Sequence, residues 1–247
     1  MTNSSYSSLV ARFYDKFLEE NTEDIEFMKS YITTNSNSIL ELASGTGRLL
    51  IPLLESGYNV DGLDNSKEML DIARNKITKL NRNSTLFNEN MTDFKLANKY
   101  DFTFIGCGSF MVVDYENGLK TLNCIKQHLT QNGELLIDLF IPWDDIQKSK
   151  CNTMELVRDV SINKERCLVY ESFSVDIHEQ RKYGKYKYEY YNDGKLVESE
   201  INELNLRWYY EDEIINILKE IGFSEIEILR KEKSYTKNDS FIISAKK

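Results

Sequence analysis

The chain has 247 residues and a formal net charge of −9, long enough for one domain with a full core and an elaboration. Its acidic balance, with a pI near 5.0, argues against nucleic acid or an anionic membrane as principal partner, because phosphate binding draws on clustered Lys and Arg. Cys107, Cys124, Cys151 and Cys167 form no C-x-x-C pair, and the two histidines offer no metal spacing, so neither a disulfide framework nor a metal centre is expected. No apolar run reaches membrane-spanning length and no leader pattern opens the sequence; a cytoplasmic location is expected.

In chain order, Leu9, Phe13 and Phe17 at i, i+4, i+8 predict a short amphipathic helix, and Ile25, Met28 and Ile32 mark the core face of a second one over 23–32. Residues 38–48, S-I-L-E-L-A-S-G-T-G-R, then read as strand, glycine turn and helix start. This layout brings backbone N–H groups close to a nucleotide-like ligand. Gly45 and Gly47 remove side chains where a ligand approaches, and tolerate positive φ. A dinucleotide turn wants a third glycine three residues after the second; Leu50 stands there, and Ala43 replaces the first glycine. The turn suits a ligand without a pyrophosphate.

A helix over 48–56 follows, then a strand over 58–64 and a helix capped by Asn65 or Ser66, with Glu68 able to complete a capping box with Asn65. Met69, Ile72, Ala73, Ile77 and Leu80 form its buried stripe. Strands are expected over 85–87, 100–106 and 134–140, with a loop over 88–94, a helix over 118–129 and Gly133 as a helix stop. From 154 to 205 the period changes to 2, as in K-Y-G-K-Y-K-Y-E-Y-Y, with N-D-G at 192–194 as a hairpin turn. Lys182, Lys185 and Lys187 read as a solvated strand face. A helix over 211–221 and strands over 223–229 and 240–245 close the chain. The expected fold is α/β: a doubly wound, mostly parallel seven-stranded sheet with an inserted antiparallel lid. The core takes 1–150 and 207–247, with an N-terminal helical cap, and the lid takes 151–206.

The segments E-L-A-S-G-T-G-R and G-L-D-N-S-K-E-M-L, the second at 62–70, resemble class I S-adenosylmethionine-dependent methyltransferases, strongly over 38–141 and by position and pattern in the lid. The resemblance implies S-adenosylmethionine as cofactor and a small-molecule acceptor. Glu41 would hold the positive end of the methionine moiety, or brace the glycine turn, or both. Ala43, Gly45 and Gly47 would form the turn beneath the cofactor. Asp64, with Asn65 beside it, would accept the ribose hydroxyls. Asn90 stands where the family has Asp and would pair with adenine; Met91 would lie on the adenine face or plug a core gap. Met69, Gly106 and Cys107 complete the expected cofactor set, with Cys107 as pocket lining. Tyr6, Ala11, Tyr14 and Asp15 match a segment that folds over the cofactor, although Tyr6 and Tyr14 could simply pack.

Methyl transfer from a sulfonium needs alignment more than acid–base chemistry. The candidates for any closer catalytic part are Tyr14, His178 and Arg207; His128 reads as structural, solvent-facing or capping, and a surface role is the plainer reading of His178. Tyr186, Tyr188 and Tyr190 share one strand face. They would line an acceptor pocket, a small core under the lid, or a dimer face. Arg207 would anchor an acceptor carboxylate or brace Asp138 or a helix end. An NAD-linked oxidoreductase and a non-catalytic S-adenosylmethionine-binding protein are the competing functions, and the protein is expected as monomer or homodimer.

Overall fold

The computed structural model describes residues 8–19, 22–32, 38–230 and 240–247. Two helices, α1 (Ser8–Phe17) and α2 (Glu23–Tyr31), precede the sheet. Then come β1 (Ile39–Leu42), α3 (Leu50–Glu55), β2 (Val60–Asp64), α4 (Lys67–Leu80), β3 (Leu86–Asn88) and β4 (Tyr100–Ile105). A 3-10 turn (Ser109–Val112) leads into α5 (Tyr115–His128), β5 (Leu129–Phe140) and α6 (Trp143–Lys148). Four long strands follow: β6 (Lys150–Ile162), β7 (Glu165–Asp176), β8 (Arg181–Asn192) and β9 (Lys195–Arg207). The chain returns to the core as α7 (Glu211–Ile221), β10 (Ser224–Leu229) and β11 (Ser240–Lys246).

The large sheet has seven strands in the order β10-β11-β5-β4-β1-β2-β3. β1 is parallel to β2 on one side and β4 on the other; β11 is antiparallel to both β5 and β10. Strand order therefore reverses at β1, and a crevice opens beyond the carboxyl ends of β1 and β4. All four residues of β1 are buried, as expected for a strand covered on both faces. Two apolar clusters cover the faces, one around α5 and α7, the other around α2 and α3. The expected fold class is the observed one.

The local differences have simple causes. α4 is capped by Ser66, whose side chain accepts from the Met69 N–H, and not by Asn65. Gly133 lies inside β5 and stops no helix: α5 ends at His128 because Leu129 is already extended. A Cβ at Gly133 would sit 3.0 Å from the Tyr100 carbonyl oxygen, so the strand contact requires glycine. Neither is His128 solvent-facing. It is 6% exposed, with Nε2 accepting from the Leu96 N–H and Nδ1 against the Cys124 carbonyl.

The second sheet, β6-β7-β8-β9, is wholly antiparallel. Asp193 and Gly194, both at positive φ, close the β8–β9 hairpin. The sheet is rooted in the core by Trp208, fully buried, whose backbone N–H donates to the Gln180 carbonyl. Helix α1 lies under it, burying Leu9 and Phe13 against Cys167, Val169 and Tyr190. Among the described residues no helix is long and apolar enough to cross a membrane.

Candidate functional site

After Leu42 the backbone turns sharply, with Ala43 at φ 54°, Gly45 at 54° and Gly47 at 78°. Ala43 holds a left-handed conformation that costs a residue with a Cβ about 1–2 kcal/mol, so the surrounding contacts impose it. The Gly47 N–H closes the turn on the Ser44 carbonyl at 2.8 Å. The two glycines serve different purposes. A Cβ at Gly45 would meet nothing within 4 Å, whereas one at Gly47 would press on Ile51 at 3.1 Å. Gly45 leaves open space; Gly47 lets the turn pack on α3.

Asp64, the last residue of β2, ties this turn to its neighbour. Its Oδ2 accepts the Gly45 N–H and its Oδ1 the Ser66 N–H, each at 2.8 Å. Burial holds its carboxyl above the ordinary value, against the pull of these backbone donors. Below the turn, Glu41 is 3% exposed. It accepts a backbone N–H from Leu50, but Oε2 has no partner. Burial pushes its pKa well above the usual carboxylate range, with Arg48 pulling the other way. Arg48 is itself committed to Asp24 in a buried ion pair and also reaches the Cys107 sulfur. A basic residue thus adjoins Cys107 in space that does not adjoin it in sequence. Although part of Cys107 is solvent-accessible, its Sγ faces Arg48 and Asp24. Burial pushes the thiol up to about 12, which makes it a poor nucleophile.

Above the turn lies a cleft of about 500 Å³. One half is walled by Tyr14, Ala43, Gly45, Asp64, Asn65 and Met69, with Asn90 and Met91 beyond them. Asn90 Oδ1 accepts from the N–H and hydroxyl of Thr92. Helix α1 is held against the turn through Asp15, which accepts from the Thr46 hydroxyl at 2.5 Å and pairs with Lys76. Glu41 and Gly47 stand behind the turn, outside the wall. Gly106 and Cys107 are also absent from the wall; a Cβ at Gly106 would lie 2.5 Å from Leu49, so that glycine serves packing. Tyr6 lies outside the described residues.

The other half of the cleft was not legible in the sequence. Ser109, Val112, Val113, Asp114 and Asn117 come from the 3-10 turn and the start of α5; Arg181, Leu204 and Asn205 come from the lid. The small residues of G-C-G-S-F were a signal for the first group. Nothing local marked the second, because which end of the lid meets the core is set by packing.

For the lid tyrosines, His178 and Arg207 the structure favours the alternatives that leave them out of the cleft wall, and it overturns the solvated-face reading of Lys182. Tyr186 and Tyr188 do not line the cleft: they pack with Tyr190 in the cluster that α1 covers. Phe13 lies 5.7 Å from Tyr190 and Phe17 6.3 Å from Tyr188, centroid to centroid. The Tyr186 hydroxyl donates to Glu171 at 2.6 Å. His178 is exposed in the β7–β8 turn, its backbone N–H bonded to Asp176, and is apart from the cleft wall. Arg207 is 8% exposed and braces a helix start, binding Glu213 of α7 at 2.6 Å and stacking on Tyr209 at 4.2 Å. Lys182 belongs to no solvated face; it is buried between Asp145 and Glu171.

A model of the methyltransferase domain matches residues 39–133, the span from β1 into β5. A provisionally named methyltransferase of Geobacillus sp. (strain WCH70) is 30% identical over 136 residues, 52% of this chain and 55% of that protein; the match spans about half of that relative's length. The carboxy-S-adenosyl-L-methionine synthase of Campylobacter lari is 27% identical over 226 residues, covering 91% of this chain and 85% of the relative. Among solved structures, an S-adenosylmethionine-dependent methyltransferase from Clostridium acetobutylicum superposes with a TM-score of 0.74 at 19% identity, over 96% of both chains. With its glycine turn at the carboxyl end of β1 and its Asp64 at the end of β2, residues 39–133 carry a methyltransferase domain, and the chain around them has the fold of S-adenosylmethionine-dependent methyltransferases.

Proposed function

We propose that the protein transfers a methyl group from S-adenosylmethionine to a nitrogen or oxygen of a small-molecule acceptor. The observation that carries this is the Gly45–Asp64 hydrogen bond. It holds a strand-end carboxylate in the cleft wall beside a glycine whose missing side chain leaves open space. Bound there, S-adenosylmethionine supplies a methyl group already activated on a sulfonium. Asp64 would bind ribose hydroxyls with the lone pairs that Gly45 and Ser66 leave free. Glu41, with its unpartnered Oε2, would take the ammonium end directly or through water. Asn90, Met91 and Met69 would hold the base, and Tyr14 would cover the turn.

Residues 1–150 and 207–247 then form the cofactor-binding core, and 151–206 the lid that meets the acceptor. Neither histidine borders the cleft, so the reading assigns no imidazole base, and an amine acceptor would have to arrive neutral. Val112, Val113 and Leu204 would exclude water around the transferring group. Alignment of this kind can supply on the order of 7–11 kcal/mol. Titration calorimetry with S-adenosylmethionine, S-adenosylhomocysteine and NAD, followed by an acceptor screen read by mass, tests the proposal. Appearance of S-adenosylhomocysteine together with a product 14 mass units (about one CH₂) heavier than its acceptor supports it. A carboxylated derivative of S-adenosylmethionine would instead favour the chemistry named for the Campylobacter lari relative, and binding of NAD alone would overturn the assignment.

A further inference from the structure

Arg181 is the one basic residue in the cleft wall among the described residues. It opens β8, half-buried, in the part of the cleft wall that the lid contributes. It forms no ion pair with a described acid, although Asp64, Glu89 and Asp114 share the wall with it. Asp176, its register partner on β7, uses Oδ1 for the N–H groups of His178 and Glu179. Glu213 has both oxygens taken, by Arg207 and Gln180. Asp114, also in the wall, caps α5 with both of its oxygens on Asn117.

The register adds to the imbalance. Arg181 stands directly opposite Arg207 on β9, so both guanidiniums share one face of the lid, an arrangement that like charges disfavour. Arg207 is compensated by Glu213 and by stacking on Tyr209 and Tyr115. Arg181 has neither an ion pair nor a stacked ring among the described residues, with Asp176 opposite it on β7 and Asn205, a neutral amide, on the adjacent pair of the same face. A planar five-donor guanidinium in a partly desolvated wall is suited to a carboxylate or phosphate, which it can grip through two parallel bonds.

We infer that the acceptor carries an oxyanion, a carboxylate or a phosphate group, and that Arg181 binds it. The inference rests on the methyltransferase reading for the word acceptor, but its site is separate from the residues assigned to the cofactor. An acceptor so held has its anionic end at the root of the lid and its remaining part against Val112, Val113 and Leu204. Arg181 is a specificity-determining residue in this scheme; it takes no part in the bond changes.

Isothermal titration of the full chain saturated with S-adenosylhomocysteine tests this, with inorganic pyrophosphate and benzoate as probes and Arg181→Gln and Arg181→Lys as variants. Wild type should bind at least one probe, Arg181→Gln should bind it about ten- to a hundredfold more weakly, and Arg181→Lys should fall between. Preference for pyrophosphate marks a phosphate-bearing acceptor, and preference for benzoate a carboxylate. All three proteins should bind S-adenosylhomocysteine equally and melt together. If neither anion binds wild type, or the Gln variant binds as tightly, the inference is overturned while the methyltransferase reading stands. Failure of S-adenosylhomocysteine itself to bind wild type would overturn that reading instead.

Discussion

Asp64→Ala separates bracing from binding. In the cofactor-free protein the change leaves two backbone N–H groups, those of Gly45 and Ser66, without the acceptor they use at 2.8 Å. Each unpaired amide costs about 1–3 kcal/mol, and the cleft admits some water, so a total of about 2–4 kcal/mol is expected. For a chain of this size that is a fall in Tm of about 5–15 °C. Sequence alone suggests a smaller effect, since Ser66 keeps its cap on α4; the bond to Gly45 is what the structure adds. Asp64→Asn retains one accepting oxygen and should lose about half as much. The pH dependence gives a second signature. Burial raises the folded pKa of Asp64, so the stability linked to its ionisation is fully present below the unfolded pKa, about 4. It is lost as pH rises through the folded value, and the gap in Tm between wild type and Asp64→Ala should narrow with rising pH. S-adenosylhomocysteine affinity should also fall, by about 1.5–3 kcal/mol for the lost charge-assisted bonds. Differential scanning calorimetry from pH 4 to 8 (about the carboxylate range upward) and titration calorimetry supply both readouts. An unchanged Tm, or a gap that widens with pH, would refute the bracing argument; unchanged affinity with a lower Tm would make Asp64 purely structural.

S-adenosylhomocysteine should raise the melting temperature of wild type, by about 2.7 kcal/mol of stability at a hundredfold excess over Kd, and NAD should not; a thermal-shift assay decides. Glu41→Gln removes a buried ionisable carboxyl whose pKa burial raises well above the ordinary value. By the same linkage sign, stability in wild type declines as pH rises through that value, so the variant should melt higher at neutral pH without cofactor while binding S-adenosylhomocysteine more weakly. The triple change of Tyr186, Tyr188 and Tyr190 to Phe removes the hydroxyl bonds to Glu171 and Glu165. It should cost about 1–3 kcal/mol in stability and leave cofactor affinity unchanged; a loss of affinity would mean that the lid core supports the turn directly. Asp15→Ala should weaken cofactor binding several-fold, because Asp15 fixes the Thr46 end of the glycine turn, with little change in the melting of the lid.

The sequence by itself determined the alternation of strands and helices, because buried parallel strands and amphipathic helices carry different periods that survive in any window. It also determined the glycine turn and Asp64, since a ligand that approaches a backbone excludes side chains at fixed offsets, and the strand end that follows is fixed by the same local chain. The change of period at 154 marked the lid for the same reason. Only tertiary packing decided what each lid residue faces. Alternation placed Tyr186, Tyr188 and Tyr190 together, but the register of β8 between β7 and β9 and the position of α1 turned that face into a core. Arg181 and Arg207 are equivalent in any one-dimensional reading. They became a cleft residue and a helix brace because the lid meets α7 at Arg207 and contributes Arg181 to the cleft wall. The pairing of Arg48 with Asp24 beside Cys107 likewise joins three distant segments, and local sequence holds no record of contacts made by chain folding over such separations.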